Sequence, residues 1–159
     1  MTINNFNHII SSNDFDILHQ EKTYSNDVIE KSTEVILEFN GTSIRLKFDL
    51  TEHSHIEKSN FLFIPETSIL FYSGSIEWCA FDLINKCLIR HERATQLPYI
   101  ERRNDIILIF DDMYVECTDL KAEQIDNVLV DPPTESVVFE DRIEFNSSIF
   151  GKQILKLQK

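Results

Sequence analysis

The chain has 159 residues, 42% of them hydrophobic, with 27 acidic against 15 basic side chains and a formal net charge of −12. At this length one domain buries about two-thirds of its unfolded surface, whereas two domains would each have too small a core. The charge excludes nucleic acid as a partner, because each phosphate contact needs a cation and the mean field repels a polyanion. Membrane spanning by a helix is excluded too, since no stretch approaches the ~20 apolar residues required.

The first ten residues, Met1 to Ile10, carry neither a basic region nor a long apolar run, which leads us to expect a cytosolic protein made without cleavage. Residues 1–32 are rich in Asn, Ser and Asp without sustained periodicity and read as an irregular arm. Within it we expect one short strand around Phe15–Leu18, and Ser25-Asn26-Asp27 ahead of Val28-Ile29 as a cap for a single helical turn. The β core is expected over 33–159, in one domain spanning 1–159.

That core opens with a hairpin. Glu34–Phe39 and Thr42–Phe48 flank Asn40-Gly41, the pair that best tolerates positive φ at both centres of a type I′ turn. A two-residue loop there pairs Leu37 with Ile44 and Val35 with Leu46 on one face, and Glu34 with Lys47 on the other. A slip by one residue would turn the apolar set into water. After a polar stretch at 51–60, strands are expected at Phe61–Ile64, Ser68–Tyr72, Ser75–Leu83, Cys87–Glu92, Tyr99–Arg102, Ile106–Phe110, Tyr114–Thr118, Val128–Val130, Val137–Phe139, Arg142–Phe145 and Gln153–Leu157. Ile106–Phe110 is apolar on both faces and is expected to be the most buried strand. Asp131-Pro132-Pro133 ends the strand before it, since proline supplies no amide donor.

Short strands separated by turn signals indicate an all-β, mainly antiparallel fold: a meander-rich sheet, sandwich or partly open barrel with little helix. Residues 68–131 also carry a faint repeat. Ile69–Tyr72 leading to Asp82-Leu83 is echoed by Leu108–Phe110 leading to Asp119-Leu120, an interval that resembles the blade spacing of β-propellers. The chain is too short for a closed propeller of common size, so two similar meanders within one sheet are expected.

Chemistry-bearing motifs are sparse. Cys79, Cys87 and Cys117 form an odd set without CxxC spacing, which indicates neither a disulfide framework nor a zinc knuckle. His53-Ser54-His55 puts two imidazoles on one side of an extended segment with Glu52 and Glu57 nearby, but a zinc site needs three or four convergent ligands; His8, His19 or His91 would have to come from elsewhere, and the segment reads as a solvated loop. Cys79 falls roughly opposite His91 when Leu83 is paired with Cys87, the one thiol–imidazole pair that an enzymatic reading would use. No metal, cofactor or catalytic set is indicated. The expected binding patch comprises Asp111, Asp112, Tyr114 and Glu116 with Glu77 and Trp78 from a neighbouring strand, since aromatics bordered by carboxylates suit a basic protein partner. A second acidic edge runs from Asp131 to Glu144.

In overall character, small, acidic, glycine-poor and without an active-site motif, the chain resembles the immunity proteins of bacterial polymorphic-toxin and contact-dependent inhibition systems. The resemblance implies a protein that neutralises a basic toxin domain, often a nuclease, by binding it in the cytosol. The alternatives are a self-assembling β module that forms a homodimer, and a small enzyme using Cys79 and His91.

Overall fold

The computed structural model describes residues 1–11, 14–21, 28–131 and 135–158. Its fifteen strands are β1 (Thr2–Phe6), β2 (Ile17–Gln20), β3 (Ile29–Phe39), β4 (Thr42–Thr51), β5 (Phe61–Ile64), β6 (Ile69–Ser73), β7 (Glu77–Asp82), β8 (Cys87–Arg93), β9 (Tyr99–Arg103), β10 (Ile106–Phe110), β11 (Tyr114–Asp119), β12 (Gln124–Leu129), β13 (Glu135–Val138), β14 (Arg142–Ser147) and β15 (Gly151–Lys156). Among the described residues the only helical element is a 3-10 turn at Lys58–Asn60. The fold is all-β and mostly antiparallel, in four sheets of which none closes into a barrel.

The first hairpin adopts the expected register, with Leu37 opposite Ile44, Val35 opposite Leu46 and Glu34 opposite Lys47. Asn40 and Gly41 both have positive φ, as a type I′ turn demands. The N-terminal stretch departs from expectation. It is not an irregular arm: β1 pairs antiparallel with β3, β2 pairs parallel with β4, and β3 itself begins at Ile29, ahead of the expected boundary. The strand anticipated at Phe15–Leu18 corresponds to β2, shifted by two residues; Ser25-Asn26-Asp27 lies outside the described residues.

The four sheets, in the orders β1-β3-β4-β2, β5-β6-β7-β8, β9-β10-β11-β12 and β13-β14-β15, stack in chain order. Side-chain alternation produces the stacking. In the second sheet Leu70, Tyr72, Cys79 and Phe81 face the first sheet and join Val35, Leu46 and Phe48. Their neighbours Phe71, Trp78 and Ala80 face the third sheet and join Ile107 and Ile109. From the third sheet Leu108, Val115 and Cys117 turn the other way, onto Ile143, Phe145 and Leu155 of the fourth. A sheet covered on both sides reads as continuous apolar runs, which explains Ile69–Tyr72 and Ile106–Phe110. The most buried strand is therefore not β10, whose end residues Ile106 and Phe110 are half-buried, but β6, buried along its whole length.

The repeat is real but takes another form. Adding 37 to the residue numbers carries the bounds of β6 onto β10 and those of β7 onto β11, and β15 lies a further 37 residues beyond β11. The repeated meanders do not share one sheet, as expected from sequence; each forms its own sheet, packed face to face on the last. The two Asp-Leu pairs serve one purpose in both copies. Asp82 accepts the amides of Ile84 and Asn85, and Asp119 accepts those of Lys121 and Glu123, so each carboxylate closes the turn after its strand.

Candidate functional site

Between the first and second sheets the alternation that builds the core is interrupted by polar side chains. On β7 the residues facing the first sheet are Glu77, Cys79 and Phe81; on β8 His91 stands opposite Cys79, and from β2 His19 points in beside Ile17. The ligand-type atoms of His19, Glu77, Cys79 and His91 lie within 4.8 Å of one another. His19 Nε2 is 2.7 Å from Glu77 Oε1, and His91 Nε2 is 2.7 Å from Glu77 Oε2. Cys79 Sγ lies 3.8 Å from His19 Nε2, and the two imidazole rings meet at 4.8 Å. Glu77 and Cys79 are fully buried, His19 nearly so, and His91 keeps about a fifth of its side chain exposed (21%), which makes it the cluster's most accessible member among the described residues.

When ionised, the Glu77 carboxylate only accepts, and in that state it takes a hydrogen from each ring and orients both. Apolar rings seal the site: Phe48, Tyr72 and Phe81 meet the His19 ring edge-on at 5.3, 5.9 and 5.7 Å. Burial and the carboxylates of Glu77 and Glu21 push the Tyr72 phenol well above its ordinary range. Glu21 is itself buried, accepting the Thr51 amide at 2.9 Å and the Ser54 hydroxyl at 2.5 Å.

Gly74 in the β6–β7 turn makes room for this arrangement. A Cβ there would stand 2.9 Å from Glu77 Cγ and 3.1 Å from the Tyr72 ring. Glu77 cannot swing away without losing both imidazoles, so Gly74→Ala is expected to lower stability by about 1–3 kcal/mol through overpacking. A shift of the denaturant midpoint, with altered His91 ring resonances, is the readout.

Cys79 is opposite His91, as expected, although by a different route. The turn pairs Asp82, not Leu83, with Cys87, and a bulge between Ala80 and Phe81 restores the pairing at the site. His53 and His55 are exposed, and Ser54 between them is buried against Glu21.

Most residues of the expected binding patch lie inside the fold. Glu77, Trp78, Asp111 and Glu116 are buried, and Glu77 and Trp78 point to opposite faces of β7. Asp111 holds the segment after β8, accepting the Thr95 amide at 2.9 Å and hydroxyl at 2.6 Å. Asp112 and Tyr114 are half-buried. Three of the six do come together between the second and third sheets: Trp78 Nε1 donates to the Tyr114 hydroxyl at 3.3 Å, while Arg90 lies 4.5 Å over the Trp78 ring and 2.6 Å from Glu116 Oε1. Burial raises the Glu116 carboxyl despite that guanidinium, and raises the Tyr114 phenol to about 12. In the second acidic edge, Asp131 is buried and accepts the Ser147 and Ser148 hydroxyls, which hold its carboxyl below the usual range. Glu135, Glu140 and Asp141 are exposed, and Glu144 is paired with Arg142 and Lys152.

The interval of 37 residues carries Glu77 and Cys79 onto Tyr114 and Glu116, while His19 and Arg90 come from strands that it does not relate. Each polar cluster places a side chain from the last strand of one sheet, His19 of β2 or Arg90 of β8, against the third strand of the next, at Glu77 and Cys79 or at Tyr114 and Glu116. A shallow groove of about 350 Å³ opens beside the second cluster, between β8 and β12, lined by Arg90, Glu92, Tyr114, Glu116, Asn127 and Leu129 among others. No family model matches the chain, and no curated protein or solved structure shows significant similarity to it.

Proposed function

We propose that the protein acts in the cytosol by binding a basic protein domain, in the manner of an immunity protein that neutralises a toxin, and has no catalytic activity of its own. The observation that carries this reading is the charge imbalance: 15 cations cannot neutralise 27 carboxylates. Arg45, Lys47, Lys86, Arg90, Arg102, Arg142 and Lys152 are already engaged in ion pairs within the fold. Exposed acids such as Glu38, Glu52, Asp105, Glu135 and Glu140 add to a field that attracts a cationic surface. Full burial of Cys79 supports the non-enzymatic reading, because a substrate would have no access to the thiol.

The groove between β8 and β12 suits the contact. Tyr114 pairs with the exposed Leu129, Met113 is exposed beside them, Glu92 lines the groove, and Glu123 lines the adjoining cleft that shares Arg90 and Gln124 with it. Apolar anchors bordered by carboxylates supply affinity and specificity respectively. The test is retention of the product of the gene immediately upstream on the immobilised protein. Binding is expected to weaken with added salt and to fall at least about tenfold on combining Glu92→Lys with Glu123→Lys, since like-charge contacts cost over 1.4 kcal/mol or so. A stable homodimer that retains no such product would overturn the reading.

A further inference from the structure

We propose that His19, Glu77, Cys79 and His91 bind one divalent transition-metal ion of the zinc class, which clamps β2 onto the second sheet. The donor set is two imidazole nitrogens, one sulfur and one carboxylate oxygen, a combination suited to zinc, cobalt or nickel and poorly suited to calcium or magnesium. All four atoms lie within 4.8 Å of one another, within reach of one ion after small side-chain adjustments. Around a tetrahedral ion with bonds of about 2.0–2.3 Å, neighbouring donors stand about 3.2–3.8 Å apart. The Sγ–Nε2 separation of 3.8 Å already fits, and the two imidazole–carboxylate separations of 2.7 Å are hydrogen bonds that an ion replaces when the Glu77 carboxylate turns slightly.

Charge favours the exchange. Glu77 is an anion when ionised and Cys79 becomes one on coordination, so a dication between them leaves a neutral buried centre with two neutral imidazoles. Binding breaks the Cys79 S–H bond, forms a sulfur–metal bond and releases that proton to solvent, while each imidazole gives up its Nε2 hydrogen and takes one up at Nδ1, so that a neutral ring presents the Nε2 lone pair to the ion. The shell of Phe48, Tyr72 and Phe81 keeps water from competing. The ligands are also placed where an ion contributes most to the fold: His19 and Glu77 are 58 residues apart, and β2 has only four residues and one strand neighbour. An ion there closes a long loop and fastens the edge strand.

The test is a cobalt(II) titration of the full-length, reduced protein after dialysis against a chelator. We expect one equivalent to bind, with a thiolate-to-cobalt charge-transfer band and the intense visible bands of tetrahedral cobalt, both erased by zinc, and a higher melting temperature in either metal. Cys79→Ser should abolish the charge-transfer band, and His91→Ala, at the cluster's partly exposed position, should weaken binding at least about 100-fold, beyond what a merely supporting residue costs. Cys87→Ser, on the exposed start of β8, should leave the titration unchanged. A folded wild-type protein that binds no cobalt, or a charge-transfer band that survives Cys79→Ser, would overturn the proposal. Should Cys79→Ser fail to fold, unaltered cobalt affinity in His91→Ala would overturn it equally.

Discussion

Glu77→Ala is expected to destabilise the protein by about 3–5 kcal/mol, the range for removing one partner of a buried, charged hydrogen-bonded set. The carboxylate is fully buried and holds two imidazoles at 2.7 Å. Its loss leaves the His19 ring N–H unpaired among three aromatic rings and deprives the partly exposed His91 of its buried acceptor. Glu77→Gln keeps the volume and one acceptor oxygen and should cost clearly less. Urea denaturation of the three proteins at pH 7 measures this. A loss within about 0.5 kcal/mol, the behaviour of an exposed carboxylate, would contradict the site as described.

Arg90→Ala is expected to cost about 3 kcal/mol or more. It strands the Glu116 carboxylate between the second and third sheets and removes the cation over Trp78. Because burial raises the folded carboxyl of Glu116 above its unfolded value, the folded state binds the extra proton, and stability falls as pH rises through the folded pKa. Without the guanidinium that pKa moves higher still. The variant should therefore regain stability on acidification from pH 7 towards the ordinary carboxyl range more steeply than the wild type. The double variant Arg90→Met with Glu116→Leu should recover most of the loss, since an apolar pair replaces the ion pair without a stranded charge. Melting curves from pH 5 to 8 show both effects; a pH-independent difference between Arg90→Ala and wild type would refute the account of Glu116.

Local information sufficed wherever the chain doubles back at once. Asn40-Gly41 and the alternation on either side determine a hairpin to the residue, and Asp82 and Asp119 mark turns whose carboxylates close them. Partners distant in the chain left no such trace. β2 lies parallel to β4, a pairing no turn signal specifies, so His19 was not placed although Ile17 and His19 alternate with exposed Leu18 and Gln20. Glu77 and Trp78 read as a surface pair because acid and aromatic neighbours look alike at an interface and in a sheet covered on both faces. Only the stacking shows that one faces His19 and the other Arg90. The interval of 37 residues between Asp82-Leu83 and Asp119-Leu120 was visible, whereas the stacking of its copies as separate sheets depends on Leu70 and Phe71, or Ile107 and Leu108, pointing to opposite cores.

The reading also separates two uses of acidic residues. Glu21, Glu77, Asp111, Glu116 and Asp131 are spent inside, on histidines, arginine, hydroxyls and turn amides. Under the proposed function, attraction of a basic partner would rest on the exposed remainder and would act on the rate of encounter more than on the lifetime of the complex. The most direct measurement is the association rate constant between this protein and the product of the upstream gene, followed from low to physiological ionic strength. The account predicts a rate that drops at least about tenfold over that range and drops further with Glu92→Lys and Glu123→Lys, while dissociation changes little. A rate indifferent to salt and to both substitutions would contradict it.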